Sequence, residues 1–292
     1  MTIPSPLKPG DKVGLIAPAG PLPKDAEEQA CRAIKKLKLV PVIGKYANQS
    51  TGYLAGNDHQ RAWDFNNMFA DNEIKGIICL KGGYGTIRIL NKIDWSLPIK
   101  NPKVFVGYSD ITALHIALNQ RCGLVTYHGP MAAIELIKEI DEASFTSLEN
   151  HIFGKKNDTY CFNLGEYPIK TIVKGSFSGR LTGGNLATIV STLGTPYEIN
   201  TVGAVLFLED IDEPPYKIDR MITQMEQCGK FKELAGIVLG DFTDADCNRL
   251  PIDHIAHIME SLGVPCVYGL PCGHTLPNIT LPLGVTAKWD SL

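Results

Sequence analysis

The sequence predicts an α/β protein: an N-terminal, mostly parallel sheet flanked by helices, followed by a smaller β-rich C-terminal domain. Three observations carry this. Short apolar runs alternate with amphipathic segments through the first half of the chain, the rhythm of a parallel sheet with crossover helices. The runs are continuous rather than alternating, as in strands buried on both faces. Near Asn157 the rhythm changes to short alternating segments broken by Gly and Pro. The 292 residues suffice for about two domains. Their boundaries are placed at 1–160 and 176–292, with a linking region at 161–175.

The elements follow in order. Lys12–Ala17 is a strand ended by Pro18 and Gly20. Pro23–Leu39 carries acids early and lysines late, as a helix dipole favours. Val40–Ile43 is β-branched and short. Asn57–Ala70 places Ala62, Phe65 and Phe69 on one helical side. Ile74–Leu80 and Val104–Gly107 are strands, Ser109–Gln120 a helix and Gly123–Tyr127 extended. Thr159–Leu164 and Ile169–Lys174, separated by Gly165, Glu166 and Pro168, read as the arms of a β-hairpin. Helices are expected at Asn185–Leu193, Tyr216–Cys228 and Ile252–Leu262, strands at Ala204–Leu208 and Ile237–Leu239, and an extended tail at the C-terminus.

Charged residues make up 20% of the chain and the formal net charge is −3, so composition provides no pull toward nucleic acid or an anionic membrane. No run of about 18 apolar residues occurs, and the N-terminus lacks the basic and apolar pattern of a signal peptide. The eight cysteines form no C-x-x-C pair and no zinc-like cluster with histidine. They read as buried thiols of a reducing compartment, and the expectation is a cytoplasmic protein without metal or cofactor.

Four segments could carry chemistry. LKGGYGT (80–86) follows a strand, and its glycines would let backbone N–H groups approach an anion or oxyanion; the same residues also suit a tight strand-to-helix turn. VGYSDIT (106–112) places Ser109 between strand and helix, like a nucleophile elbow. Ile111 stands where the G-x-S-x-G pattern has its second glycine, and Ser109 or Asp110 would equally serve as a helix N-cap. LFLEDIDEPP (206–215) sets Glu209, Asp210, Asp212 and Glu213 after an apolar strand, either to orient a histidine, to hold a divalent cation, or as a solvated loop. GLPCGHTLPNIT (269–280) places His274 on a Gly/Pro-rich loop suited to a general base, with His128 in TYHGPM as its competitor. Together they supply a hydroxyl, a carboxylate and a histidine, the constellation of serine hydrolysis in the chain order Ser, Glu, His.

With these motifs assembled, the chain resembles the serine LD-carboxypeptidases, the muramoyltetrapeptide carboxypeptidase family. LKPGDKVGLIAPAG, LKGGYGTIRIL, VGYSDITALH, HGPM, GRLTGGNLATIVSTLGTPYE, FLEDIDEPPYKIDRM, VLGDF and the closing GH…PNITLPLGV match in order along almost the whole length. The resemblance implies an N-terminal domain similar to class I glutamine amidotransferases and a triad at the domain junction. By position the nucleophile is Ser109, the base His274 and the orienting acid Glu209. The backbone N–H groups of Asp110 and Gly83 would form the oxyanion hole. Lys81, Gly82, Tyr84, Arg88 and Asn185 would face the substrate, a muropeptide or other peptide conjugate. Lys81 stands where arginine is expected, and the loop around His274 is short. Arg88, Arg180 and Arg220 are the candidates for the free carboxylate that a carboxypeptidase must hold. A homodimer is also implied.

Relatives of the microcin-immunity type share triad and fold but cleave acyl-adenylate conjugates, which call for an aromatic surface to stack adenine. The tryptophans, Trp63, Trp95 and Trp289, lie outside the matching motifs. GGYGT is also similar to the GGDGT loop of NAD and lipid kinases, but Tyr84 replaces the acidic residue used there. A hinged binding protein without turnover is the remaining reading.

Overall fold

The computed structural model describes residues 1–138, 140–162, 167–244, 246 and 248–290. In chain order the first half holds β1 (Lys12–Ile16), α1 (Ala26–Lys36), β2 (Val40–Ile43), α2 (Asp58–Ala70), β3 (Ile74–Cys79), α3 (Ser96–Lys100), β4 (Val104–Gly107), α4 (Thr112–Cys122), β5 (Thr126–His128) and α5 (Glu142–Phe153). The second holds β6 (Thr159–Cys161), β7 (Lys170–Val173), β8 (Phe177–Asn185), α6 (Leu186–Ser191), β9 (Ala204–Ile211), α7 (Pro215–Gln227), β10 (Gly236–Thr243), α8 (Asp253–Leu262), β11 (Cys266–Tyr268), β12 (Leu281–Leu283) and β13 (Thr286–Trp289).

Local chemistry accounts for several boundaries. Asn57 and Gln60 form a reciprocal capping box that starts α2. Glu27 and Glu28 in the first turn of α1, with Lys35 and Lys36 in the last, complement its dipole. Asn185 caps α6 by accepting the Thr188 N–H. Helix α4 is buried from Thr112 to Asn119, which explains its lack of an apolar stripe: it packs on the first sheet and also against α6 and β8.

The first sheet has the order β12-β5-β4-β3-β1-β2 and is parallel except for β12, which runs antiparallel to β5. One apolar cluster, including Val13, Leu15, Ala30, Ile34 and Leu148, covers one face; another, including Phe65, Phe69, Phe105 and Leu114, covers the other. The strand order reverses between β1 and β3, and in such sheets ligands bind beyond the carboxyl ends of the strands at that point.

The second sheet has the order β6-β13-β8-β9-β10-β11-β7. Strands β8 to β11 are parallel and joined by α6, α7 and α8. These helices pack on one face around Leu206, Leu208, Ile222 and Met259. The other face, with Leu181, Val205, Phe207 and Val238, packs on Leu281 and Leu283 of β12. The second unit is β-rich by strand count, and crossover helices give it an α/β character of its own.

Two expectations change. Strands β6 and β7 do not form a hairpin. They lie at opposite edges of the second sheet, β6 parallel to β13 and β7 antiparallel to β11. Their alternating pattern signals half-exposed strands but carries no information about partners, which come from the far end of the chain; Gly165 and Glu166 of the expected turn, and the end of the first expected strand at 163–164, lie outside the described residues. The C-terminal tail is also more than extended chain: β12 returns to the first sheet and covers the β5 edge.

Phe207 is fully buried in β9 with its ring centroid 5.0 Å from that of His128 in β5. Phe207→Ala is expected to cost about 3–5 kcal/mol of stability, read as a lower urea midpoint at unchanged slope.

Candidate active site

Ser109 lies at the end of β4 with φ 63°, left-handed backbone that a non-glycine residue rarely adopts. Such a conformation costs on the order of 1–3 kcal/mol and persists only where its surroundings impose it. Residues Ser109–Ile111 form a single 3-10 turn that leads into α4. The missing second glycine of the elbow has a steric explanation. A Cβ on Gly107 would lie 3.0 Å from Ile111 Cγ2, so Ile111 fills the space that Gly107 leaves. Ser109 itself is half-buried and faces the glycine loop: a Cβ on Gly82 would meet Ser109 Cβ at 3.0 Å and Oγ at 3.1 Å. Any side chain at position 82 would strike the hydroxyl.

Glu209 is fully buried near the end of β9, in register with Asn185 of β8. A buried carboxylate requires a partner. Its Oε2 accepts the Nδ1–H of His274 at 2.8 Å, which leaves Nε2 as the basic nitrogen. The His274 loop comes this close because Gly273 has φ 139°, and a Cβ there would lie 3.0 Å from Glu209 Oε2. The loop is tied down next door. Arg249 donates to both Asp241 oxygens, at 2.5 and 3.2 Å, and to Thr275 Oγ1 at 3.1 Å, while Thr275 also bonds Asp241.

Burial opposes protonation of His274, but the charge and hydrogen bond of Glu209, aided by Asp210 and Glu135, raise its pKa above the ordinary value. The imidazole ring lies 4.9 Å, centroid to centroid, from that of Tyr108, the residue before the serine. Tyr108 donates its hydroxyl to Glu135 Oε1 at 2.6 Å, and Glu135 Oε2 accepts the Met131 N–H at 2.8 Å. Burial raises the pKa of Glu135. The residue before the serine, the histidine and the acid thus meet where the two sheets face each other. The meeting is reinforced by the Asn185 N–H, which donates to Thr112 Oγ1 at 3.0 Å across the junction.

The competitor His128 is fully buried in β5, packed by ring contacts with Tyr108, His115 and Phe207. Burial holds it well below its ordinary pKa and therefore neutral. The acidic segment divides its labour. Glu209 takes the histidine, Asp210 binds Asn185 Nδ2 and the Ala187 N–H at 2.8 and 2.9 Å, and Glu213 pairs with Lys217 at 3.2 Å. Burial lifts Asp210 to about 6, with the neighbouring Glu209 charge adding to it. Among the described residues no group of three His, Cys, Asp or Glu side chains could hold a metal ion.

Of the expected substrate contacts, Tyr84 is exposed and its ring lies 5.7 Å from that of Tyr53. Lys81 Nζ donates to Pro21 O at 3.1 Å, and Arg88 grips both Asp58 oxygens at 2.9 and 3.1 Å. Asn185 is buried, with its carboxamide between Asp210 and the N-terminus of α6. Arg180 donates to Asn200 O at 2.8 Å and Arg220 stacks on Tyr216. The sequence reading missed Tyr108, Glu135, Asp241 and Arg249. Asp241 lies in the VLGDF match, which signalled the segment without naming its role; Glu135, in an apolar run, left no signal.

Family models provide the comparison. That of the LD-carboxypeptidase N-terminal domain matches residues 13–129, and that of the C-terminal domain matches 178–289. The chain belongs to the LD-carboxypeptidase family. It is 41% identical to a probable murein peptide carboxypeptidase of Bacillus subtilis (strain 168), over 99% of this chain and 91% of that protein. A muramoyltetrapeptide carboxypeptidase from Oxalobacter formigenes superposes with a TM-score of 0.81 at 27% identity, covering 96% of this chain and 95% of the other. The microcin self-immunity protein MccF, in complex with aspartyl sulfamoyl adenosine, gives a TM-score of 0.88 at 25% identity, covering 98% of this chain and 95% of that one. As a member of this family the protein is a hydrolase of the carboxypeptidase class. Among the described residues no helix is long and apolar enough to cross a membrane.

The Glu209 pair makes a testable prediction about pH. With His274 as the general base, a role that requires its neutral form, activity is expected to rise with pH through its raised pKa. Glu209→Gln removes the raising charge and leaves burial in place, so the acid limb of kcat/KM is expected to move to lower pH while kcat falls by about 10⁴. The same raised pKa adds stability that is full below about 6.5 and is lost as pH climbs through the folded value. A pH series of kcat/KM and of thermal unfolding for both proteins checks each statement.

Proposed function

We propose that the protein is a serine LD-carboxypeptidase that releases the terminal D-alanine from murein tetrapeptides, with Ser109 as nucleophile, His274 as general base and Glu209 as orienting acid. The observation that carries this is the 2.8 Å His274–Glu209 pair, its imidazole ring 4.9 Å from that of Tyr108, the residue before a serine held in left-handed backbone beneath a glycine loop. The substrate class comes from the relatives' names, murein peptide and muramoyltetrapeptide carboxypeptidase.

In this reading His274 Nε2 takes the Ser109 proton as Oγ attacks the carbonyl of the L,D bond. Glu209 holds the tautomer and stabilises the imidazolium. The N–H groups of Asp110 and Gly83 receive the oxyanion; one such donor is worth about 100- to 1,000-fold in rate. The imidazolium protonates the departing amine, and water, deprotonated by the same nitrogen, clears the acyl-enzyme. Each side chain returns to its starting protonation state, and the chemistry uses only groups of this chain. The seven cysteines described are free thiols, of which Cys79, Cys266 and Cys272 are buried as expected whereas Cys161 and Cys228 are exposed; unpaired thiols fit a reducing, cytoplasmic setting for recycling of wall peptides. The homodimer implied by the resemblance is open to sedimentation.

One observation favours a second substrate. The exposed Tyr53–Tyr84 pair beside the glycine loop offers an aromatic surface of the kind a nucleobase stacks on, and MccF is described with aspartyl sulfamoyl adenosine.

Incubation with a murein tetrapeptide is expected to release one D-alanine, seen by mass spectrometry, and Ser109→Ala to lower kcat by about 10⁴ or more. Turnover of an aminoacyl sulfamoyl adenosine in place of the tetrapeptide would move the assignment to the second substrate. Undiminished turnover by Ser109→Ala would remove the triad.

A further inference from the structure

The loop Gly82–Thr86 and the turn Ser109–Ile111 come from different strands, yet an oxyanion hole built from both needs its two N–H donors within about 3 Å of a single oxygen. Buried groups outside the triad join them. At one end of the loop, Gly82 O accepts the Gly20 N–H at 3.0 Å. Further along, Arg61 Nη1 donates to Gly85 O at 2.7 Å and to Pro18 O at 2.6 Å. At the other end, Thr86 N–H donates to Asp110 Oδ2 at 2.8 Å, and Thr86 Oγ1 donates to Asp110 O at 2.5 Å. The Arg61 side chain is 1% exposed and pairs with Asp58 at 2.5 Å; Asp110 is 6% exposed.

Charged groups are rarely buried so completely unless they are paired and hydrogen-bonded. Here their partners are largely the backbone of the segment that carries the glycine donor. Asp110 holds a double position: its N–H belongs to the serine turn and its carboxylate grips the loop opposite.

We propose that the paired Asp110–Thr86 hydrogen bonds, the Asp110 carboxylate on the Thr86 N–H and the Thr86 hydroxyl on Asp110 O, are the latch that sets the geometry of the oxyanion hole, with Arg61 behind the loop. Asp110, Thr86 and Arg61 are positioning residues that act through the Gly83 and Asp110 N–H groups. The inference rests on Ser109 being the nucleophile. A displacement of about 1 Å at such a site costs on the order of 100-fold in rate. The latch therefore controls kcat, while ground-state binding of the peptide is left nearly alone.

The test reads the hole with and without the peptide. A fluorophosphonate phosphonylates the nucleophilic serine: the Ser109 Oγ–P bond forms, fluoride leaves, and the serine proton passes to His274. Its P–O oxygen sits where the oxyanion would. The labelling rate at Ser109 is followed by mass spectrometry in wild type, Asp110→Ala and Asp110→Asn, beside kcat and KM on the tetrapeptide. Asp110→Ala is expected to slow labelling about 100-fold and to lower kcat in parallel, with KM within about threefold. Asp110→Asn keeps an acceptor for the Thr86 N–H and is expected to recover to within about tenfold of wild type. Should Asp110→Ala not fold, Thr86→Val, nearly isosteric and lacking the Oγ1–H donor, takes its place with an expected slowing of about tenfold. Labelling at the wild-type rate in folded Asp110→Ala or Thr86→Val overturns the latch. So does a KM that rises with no loss of kcat. Wild-type labelling at Ser109 without turnover of the tetrapeptide counts against the substrate reading only. The labelling rates of the variants still decide the latch.

Discussion

The carboxylate of Glu209 has no contact with solvent, and a buried negative charge requires a partner. Much of the architecture around it meets that requirement. The partner is His274, at 2.8 Å, and to deliver it the chain makes a left-handed step at Gly273 and braces the next residue, Thr275, on Asp241 and Arg249. The same loop then runs into β12, which joins the first sheet. Satisfying one charge in the second sheet therefore draws the C-terminal part of the chain across to the first. Breaking a buried pair by removing one partner typically costs several kcal/mol, so the association of the two units and the chemistry between them share one interaction.

Opposite this pair stands a strained serine. Left-handed backbone at a non-glycine residue is unfavourable in isolation, and here it is imposed from three sides. The 3-10 turn continues into α4, Ile111 packs against Gly107, and the glycine loop lies directly over the hydroxyl. Helix α4 is buried on nearly all sides because it serves both sheets: it carries the serine turn at its N-terminus and receives the β8–α6 connection through Thr112 and Asn185. The site thus rests on a helix buried from Thr112 to Asn119.

The chemistries open to these motifs separate on simple grounds. The kinase-like reading of the glycine loop finds no acidic residue at Tyr84, and the loop's neighbours are a serine and buried polar groups instead. The acidic run that begins in β9 does not act as one cluster. Its members point to separate partners, a histidine, a helix N-terminus and a lysine. His128 and His274 differ in their surroundings: one is enclosed by rings, the other bonded to a buried carboxylate.

Taken alone, the sequence determined the α/β class, the positions of many helices and strands but not of α3, α5 or β8, and the candidate serine, acid and histidine. These are local properties: apolar periodicity, caps such as Asn57 and Asn185, and ordered short motifs are written within a few residues of one another. Tertiary structure decided which strands pair, so that β6 and β7 lie at opposite sheet edges. It also decided which histidine meets a carboxylate, and which buried groups hold the site open. Arg61, Glu135 and Asp110 look ordinary in the sequence, because a side chain's burial and its bond to a distant partner have no local signature. Those contacts span tens of residues and exist only once the sheets have packed.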